Sequence, residues 1–136
     1  MIHERVQPEG WARPRGYSNG VLAEGRVLAL GGQIGWNAQQ EFETDTFLGQ
    51  FDQTLANVRA ILDAAGAGPE HLIQMTIYVT DLDAYRASLS DLGPIWKRHL
   101  GRNYPAMALV GVVGLVEPQA LLEIESLAVL PQEATS

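Results

Sequence analysis

Two glutamates near the end of the chain are the residues best placed for acid–base chemistry. Glu123 and Glu125 lie in a segment, Leu121 to Leu130, whose alternation of apolar and polar residues predicts a β-strand. Residues two apart on a strand point to the same face, so both carboxylates project away from Leu122 and Ile124. A partly buried carboxyl group can act as a general acid or base. The alternative is two solvated glutamates on an open sheet face.

Other side chains that could do chemistry give weaker signals. Tyr17 precedes the first predicted strand, where an ordinary half-buried aromatic is the alternative. The three histidines, at positions 3, 71 and 99, lack metal-site spacing, and His99 is interpreted as a surface residue at a helix end. Cysteine is absent, which excludes disulfides and thiolate nucleophiles. Gly31 and Gly32 stand at a strand end without the spacing of a dinucleotide fingerprint. We therefore expect neither a metal nor a cofactor.

The charge balance bears on partners. The net charge is −7, from 9 basic and 16 acidic residues. Nucleic-acid binding normally requires a basic face that neutralises phosphates. The only basic groupings are small, Arg13 with Arg15, and Lys97 and Arg98 with Arg102, and we interpret them as solvated surface charge. The sequence therefore predicts no nucleic-acid partner.

Composition predicts one folded domain over residues 1–136, with an irregular segment at 1–15 and a flexible tail at 131–136. The chain is 46% hydrophobic and 18% charged, which argues against disorder. The longest apolar run, Ala106 to Val116, is too short to cross a bilayer, and residues 1–16 lack a signal-peptide pattern. We expect a cytoplasmic protein with no membrane partner.

Hydrophobic periodicity predicts strands and two helices. The clearest helix begins at Phe47, after Asp45 or Thr46 as its cap, and ends before Gly66. A second is expected over about residues 83–99, with a kink or break at Gly93-Pro94. The predicted strands are Ser18 to Ala23, Arg26 to Leu30, Ile73 to Thr80, Ala106 to Val113 and Leu121 to Leu130, the first two joined as a hairpin by Glu24-Gly25.

This order predicts an α+β domain. Hairpins mixed with crossover helices indicate one mixed, mainly antiparallel sheet with both helices packed on a single face. The chain then has no further helix to cover the other face. Self-association is the economical way to cover it.

Several segments together resemble the RidA/YjgF family of enamine and imine deaminases. They are Gly16-Tyr17, Gly32-Gln33-Ile34, Asn57 to Leu62 with Ala65-Gly66, Tyr78 to Leu82, and Leu121 to Ala128. The resemblance runs from about Tyr17 to Leu130. It implies a chorismate mutase-like fold, a homotrimer, and clefts between subunits that bind a small metabolite.

Compared with the family position by position, this sequence keeps one part of the family's site and differs in another. Glu123 matches the glutamate that positions the hydrolytic water, whereas Met107 stands where active members have the arginine that binds the substrate carboxylate. Leu89 falls near the family's cleft asparagine, and Gly31 replaces a serine. The resemblance thus implies Glu123 as the catalytic group, with these binding residues: Tyr17, Gly31, Gly32, Leu89, Tyr104, Ala106 and Met107.

Two functions follow as hypotheses. The first is hydrolysis of an imine or enamine that is not a standard 2-iminoacid, with Arg102 as a hypothetical substitute cation. The second is a non-catalytic trimer that binds or senses a small, largely apolar metabolite. The ribonuclease label that the family sometimes carries is disfavoured by the net charge of −7.

Overall fold

The computed structural model describes residues 2–133. A four-stranded sheet carries helices on one of its faces, and a two-stranded ribbon lies beside it. In chain order the elements are β1 (Glu4–Val6), β2 (Gly20–Leu22), β3 (Arg26–Ile34), α1 (Phe47–Ala64), a 3₁₀ turn (Pro69–His71), β4 (Leu72–Val79), α2 (Leu82–Ala87), α3 (Leu89–Leu100), β5 (Ala106–Gly111) and β6 (Leu122–Leu130).

The main sheet is mixed and mainly antiparallel, as the sequence predicted. Its strand order is β3-β6-β4-β5, in which β6 runs antiparallel to both neighbours and β4 and β5 are parallel. The parallel pair is joined through α2 and α3, the crossover that a parallel connection requires. Strand and helix content confirm the α+β class.

Helix α1 supplies the apolar layer over the sheet. Leu55, Val58 and Leu62 recur at helical spacing and are fully buried, because they pack on the strand residues that share the core face. The helix begins as predicted: the Thr46 hydroxyl accepts a hydrogen bond from the Gly49 amide at 3.1 Å. It ends at Ala64, before Gly66, whose φ of +71° is the left-handed conformation that glycine adopts freely.

The predicted hairpin between the first two strands is wrong. Strand β2 pairs with β1, which lies in the N-terminal segment expected to be irregular, and β3 pairs with β6. Gly25 has a φ of +148° and lies against the Leu130 carbonyl, where any side chain would collide with the end of β6. The Glu24-Gly25 signal therefore marks a close approach of two strands. The expected tail at 131–136 lies partly outside the described residues.

The second helical region is broken at Ser88, and Gly93-Pro94 does not break it. The Ser88 hydroxyl donates to the Ala84 carbonyl at 2.8 Å, and its amide bonds the Tyr85 carbonyl in a tight turn that ends α2. Pro94 lies inside α3. Residues 2–133 therefore contain three α-helices where two were predicted.

The face of the sheet that points away from the helices is open in the single chain. It carries Glu123 and Glu125 of β6 together with exposed apolar side chains, among them Val27 at 69% exposure and Val110 at 42%. Among residues 2–133, no helix is long and apolar enough to cross a membrane. The same residues contain no cluster of three or more His, Asp or Glu that could hold a metal ion.

Candidate functional site

The predicted site residues fall into two groups on opposite faces of the main sheet. Met107 on β5 lies beside Met75, which is fully buried in the core, so Met107 points to the helix-covered face. Glu123 on β6 lies beside Tyr78, which is three residues further along β4 and points to the open face. Within one chain, Glu123 and Met107 therefore do not share a cleft.

On the open face, Glu123 lies directly over the backbone of Gly32. A Cβ atom added at Gly32 would be 2.8 Å from the Glu123 carboxyl carbon, much closer than ordinary van der Waals contact. Gly31, by contrast, has nothing within 4 Å of such an atom among the described residues. The Glu123 side chain can therefore lie where it does only because residue 32 has no side chain. The space next to Gly31, by contrast, is left empty by the described residues. We refer to Glu123, Gly31 and Gly32 as the glutamate half-site.

The second glutamate has a partner that the sequence did not reveal. The Tyr78 hydroxyl donates to Glu125 Oε1 at 2.5 Å. This hydrogen bond, with partial burial and the charges of Glu125 and Glu123, raises the pKa of the Tyr78 phenol above its usual value. Tyr78 is placed there by the register between β4 and β6, which a single sequence does not specify. A phenol hydrogen-bond donor thus lies next to both carboxylates.

On the helix-covered side, Met107 lines an apolar cavity of about 260 Å³. Its lining includes Leu89, Leu92, Trp96, Tyr104, Met107 and Leu109. The Tyr104 ring stacks on Trp96 with centroids 5.9 Å apart, and the Trp96 indole donates to the Asn103 carbonyl at 3.1 Å. Leu89 is 55% exposed and forms part of the rim. Leu89, Tyr104 and Met107 therefore line one cavity, which we call the methionine cavity.

A buried serine fastens the N-terminal loop to the methionine cavity. The Ser18 hydroxyl donates to the Tyr104 carbonyl at 2.5 Å, and its amide donates to the Pro105 carbonyl at 3.0 Å. Ser18 also bridges Ala106, the residue before Met107. These contacts put Gly16 and Arg15 on the cavity wall. Ala106 pairs with Gln74, one residue before Met75, so its side chain points to the open face of the sheet, opposite to that of Met107.

Tyr17 lines a second and larger cavity of about 980 Å³ that adjoins the first. The two share Arg15, Gly16 and Tyr104. The larger cavity also contains the following charged and aromatic side chains: Arg5, Arg13, Arg102 and Trp11. We call this space the arginine basin. The sequence grouped Arg102 with Lys97 and Arg98, but Arg98 instead pairs with Asp52 at 2.6 Å.

His99 was interpreted as a surface residue and is in fact mostly covered. Its Nε2 lies 2.5 Å from Asp52 Oδ1, and its side chain is 17% exposed. Burial of Asp52 acts to raise the pKa of that carboxyl, but hydrogen bonds and charges from His99 and Arg98 lower it overall. The group ties α1 to α3, so its role is to hold the helices that roof the methionine cavity.

Known proteins share this chain's sequence and fold. The family model described as endoribonuclease L-PSP matches residues 11–130. A Yersinia pestis protein of the conserved Rid family, YyfB, described as of unknown function, is 32% identical, with a TM-score of 0.85 over 96% of this chain and 100% of that one. An Aquifex aeolicus RutC family protein is 34% identical over 83% of this chain and 87% of its own length. A 2-iminobutanoate/2-iminopropanoate deaminase of Dermatophagoides farinae is 27% identical over 87% and 89%. The match across nearly the whole chain, in sequence and in fold, shows that this protein belongs to the RidA/YjgF family.

Proposed function

We propose that the protein is an imine or enamine hydrolase whose sites form between the subunits of a homotrimer, and that its substrate is not a standard 2-iminoacid. The relatives described as 2-iminobutanoate/2-iminopropanoate deaminases support the reaction class. Within this chain, the proposal is based on Glu123 and Tyr17, which match the family's site, and on Met107, which departs from it. The arrangement of three chains is the chorismate mutase-like one that the family resemblance implies.

The observation that carries the proposal is the division of the site between two faces of one sheet. The glutamate half-site lies on an open face that the chain's own helices leave uncovered, and the methionine cavity opens on the other side. A second copy seated on the open face would bury its exposed valines and bring Glu123 to the neighbour's cavity. Such a trimer has a mass of about 44 kDa, three times the 14.8 kDa chain. Light scattering that gives a monomer mass would contradict it.

The chemistry assigned to Glu123 is general-base activation of water. Its carboxylate accepts a proton as the water oxygen bonds to the imine carbon, which becomes tetrahedral. The Glu123 carboxyl group returns that proton to the nitrogen. As the carbon–nitrogen bond breaks, the new hydroxyl group gives up its own proton to the departing nitrogen through the same carboxylate, and a carbonyl compound and an amine or ammonia are released. Amide groups of the backbone at Gly31–Gly32 or Ala106–Met107 can hold polar atoms of the ligand. No metal or cofactor enters this reaction.

Met107 determines which substrates are disfavoured. A thioether carries no charge and accepts hydrogen bonds only weakly, so it cannot form the bidentate contact that an arginine makes with a carboxylate. Loss of a contact worth about 3 kcal/mol weakens binding roughly a hundredfold. Together with Leu89 and Gly31, Met107 leaves a larger and more apolar space, which favours a bulkier ligand.

Hydrolysis of an imine panel tests the proposal. Wild type and Glu123→Gln are compared on 2-iminopropanoate and on bulkier imines that carry no carboxylate next to the imine carbon. We expect wild type to prefer the bulkier members and the variant to lose at least about a hundredfold in kcat/KM, as removal of a general base does. Equal rates for the two proteins on every member would refute the assignment of Glu123.

The apolar cavity favours one alternative, a non-catalytic trimer that binds a small metabolite. Met107, Leu89 and Gly31 all replace polar side chains of the family's site with groups that hold no substrate atom by charge. This alternative predicts tight retention of an apolar or aromatic compound without turnover. Retention that is unchanged in Leu89→Trp, whose indole fills the cavity, would exclude it.

A further inference from the structure

We infer that the arginine basin binds the acidic group of the ligand, and that this ligand carries two negative charges, as in a phosphate monoester, on an aromatic or aliphatic body that enters the methionine cavity. The inference deepens the proposed function, because it names a ligand class for the same site. Its test measures binding alone, so its result does not depend on whether an imine is hydrolysed.

The concentration of positive charge is the first observation. The chain has nine basic residues and a net charge of −7, and four of the nine line this one cavity: Arg5, Arg13, Arg15 and Arg102. Among residues 2–133 no carboxylate lines the basin, and none lies within ion-pair distance of these four. Each of the other four arginines is paired with an acidic side chain. Four like charges repel one another unless an anion lies between them.

The N-terminal loop that presents Arg13 and Arg15 is held by hydrogen bonds of its own. The Gln7 side chain donates to the Ala12 carbonyl at 3.1 Å, and the Asn19 amide donates to Gln7 Oε1 at 2.5 Å. Ser18 fastens the end of the loop to Tyr104 and Pro105. The loop backbone is therefore ordered before a ligand arrives, which lowers the entropic cost of binding.

The chemistry of the lining specifies the kind of anion. Guanidinium groups bind carboxylate and phosphate oxygens through paired hydrogen bonds, and several of them suit a dianion better than a single carboxylate. Trp11, which is 62% exposed, and Tyr17 offer ring faces beside the charges. Because Arg15, Gly16 and Tyr104 border both cavities, a ligand held by its acid in the basin can extend its body toward Met107.

This arrangement explains how an acidic ligand is held without an arginine at position 107. The acidic group lies in the basin, which adjoins the methionine cavity at Arg15, Gly16 and Tyr104. A ligand whose acidic group is separated from its body can occupy both spaces at once, because the two cavities share these residues. The basin therefore selects longer substrates with a remote acid.

Calorimetry on the full-length protein tests the inference with phenyl phosphate, inorganic phosphate and benzyl alcohol as probes. Phenyl phosphate is expected to bind at least about tenfold more tightly than benzyl alcohol, and to weaken as salt screens the arginines. The double variant Arg15→Ala/Arg102→Ala is expected to lose roughly ten- to hundredfold in affinity for phenyl phosphate. Arg86→Ala, which removes an exposed arginine outside the basin, is the matched control and retains wild-type affinity.

Two further variants separate the parts of the inference. Leu89→Trp should weaken phenyl phosphate and leave inorganic phosphate unchanged, because only the phenyl ring enters the methionine cavity. Arg15→Lys/Arg102→Lys keeps the charge and loses the paired donors, so its affinity should fall between wild type and the double alanine variant. Folding of each variant is checked by circular dichroism and its mass by light scattering.

Two results would overturn the inference. One is equal affinity for phenyl phosphate in wild type and Arg15→Ala/Arg102→Ala. The other is no binding of phenyl phosphate by wild type together with dissociation of the oligomer in that double variant, which would make the basin a contact between subunits. An effect of Leu89→Trp on both phosphates alike would contradict the placement of the ligand's body.

Discussion

Adding a single methyl group beneath Glu123 should disable the site without harming the fold. In Gly32→Ala the new Cβ starts 2.8 Å from the Glu123 carboxyl carbon and 3.1 Å from its Cγ, whereas ordinary contact begins at 3.4 Å. The backbone at Gly32 is not in the left-handed region, so alanine is not strained there. The flexible glutamate side chain is what must move. We expect its carboxylate to shift by somewhat under 1 Å, and a misplacement on the order of 1 Å costs about a hundredfold in rate.

The assay is kcat/KM on the imine that wild type hydrolyses fastest, together with the free energy of unfolding from a urea titration. Gly114→Ala is the matched control, because an added methyl at residue 114, which lines neither half of the site, meets nothing within 4 Å among the described residues. Gly32→Ala should lose activity while its stability stays within about 1 kcal/mol of wild type, since glycine-to-alanine changes act largely on the unfolded chain. The reasoning is refuted if Gly32→Ala is fully active, or if Gly114→Ala is equally impaired.

Three other predictions follow from named contacts. Met107→Arg places a guanidinium where the family resemblance implies an arginine that binds the substrate carboxylate. Turnover of 2-iminopropanoate should therefore rise roughly tenfold or more over wild type and over Met107→Leu. No gain would contradict the role given to Met107. The pKa of Tyr78 is raised, so its absorbance titration should lie above pH 10.0 and move toward that value in Glu125→Gln; an unchanged titration would argue against the hydrogen bond. The pKa of Asp52 is lowered, so its contribution to stability is present above pH 3.8 and lost as the pH falls through the folded-state pKa. Asp52→Asn should cost at most about 1 kcal/mol at pH 7, because its salt bridge is partly exposed, and this cost should shrink steadily as the pH is lowered below 3.8. A cost that does not change with pH would contradict the pairing.

The sequence predicts those parts of the fold that depend on local periodicity and capping. The apolar spacing of α1, its Thr46 cap and its terminal Gly66 are all local signals, and the structure confirms them. The predicted hairpin failed because a turn signal does not name the partner of a strand. Gly25 serves an approach to Leu130, more than a hundred residues away in the chain.

In the candidate site, too, the sequence predicts what depends on local periodicity and misses what depends on contacts between distant segments. The common face of Glu123 and Glu125 follows from a period of two residues and was predicted. Tyr78 was missed, because the register of β4 against β6 decides that it lies beside those carboxylates. The arginine basin was missed for a similar reason. Arg5, Arg13 and Arg15 meet Arg102 only because Ser18 fastens the N-terminal loop to Tyr104, almost ninety residues later.

In the proposed trimer one chain supplies Glu123 and its neighbour supplies the methionine cavity, and subunit complementation tests this division of the site. Glu123→Gln and Leu89→Trp, each inactive alone because one half of the site is lost, are unfolded together in equal amounts and refolded, with wild type refolded alongside as the control. If every site joins halves from two chains, random assembly makes about a quarter of the sites fully wild type, so about a quarter of wild-type activity returns. No recovery above the separately refolded variants would show that the site lies within one chain, and would contradict the account.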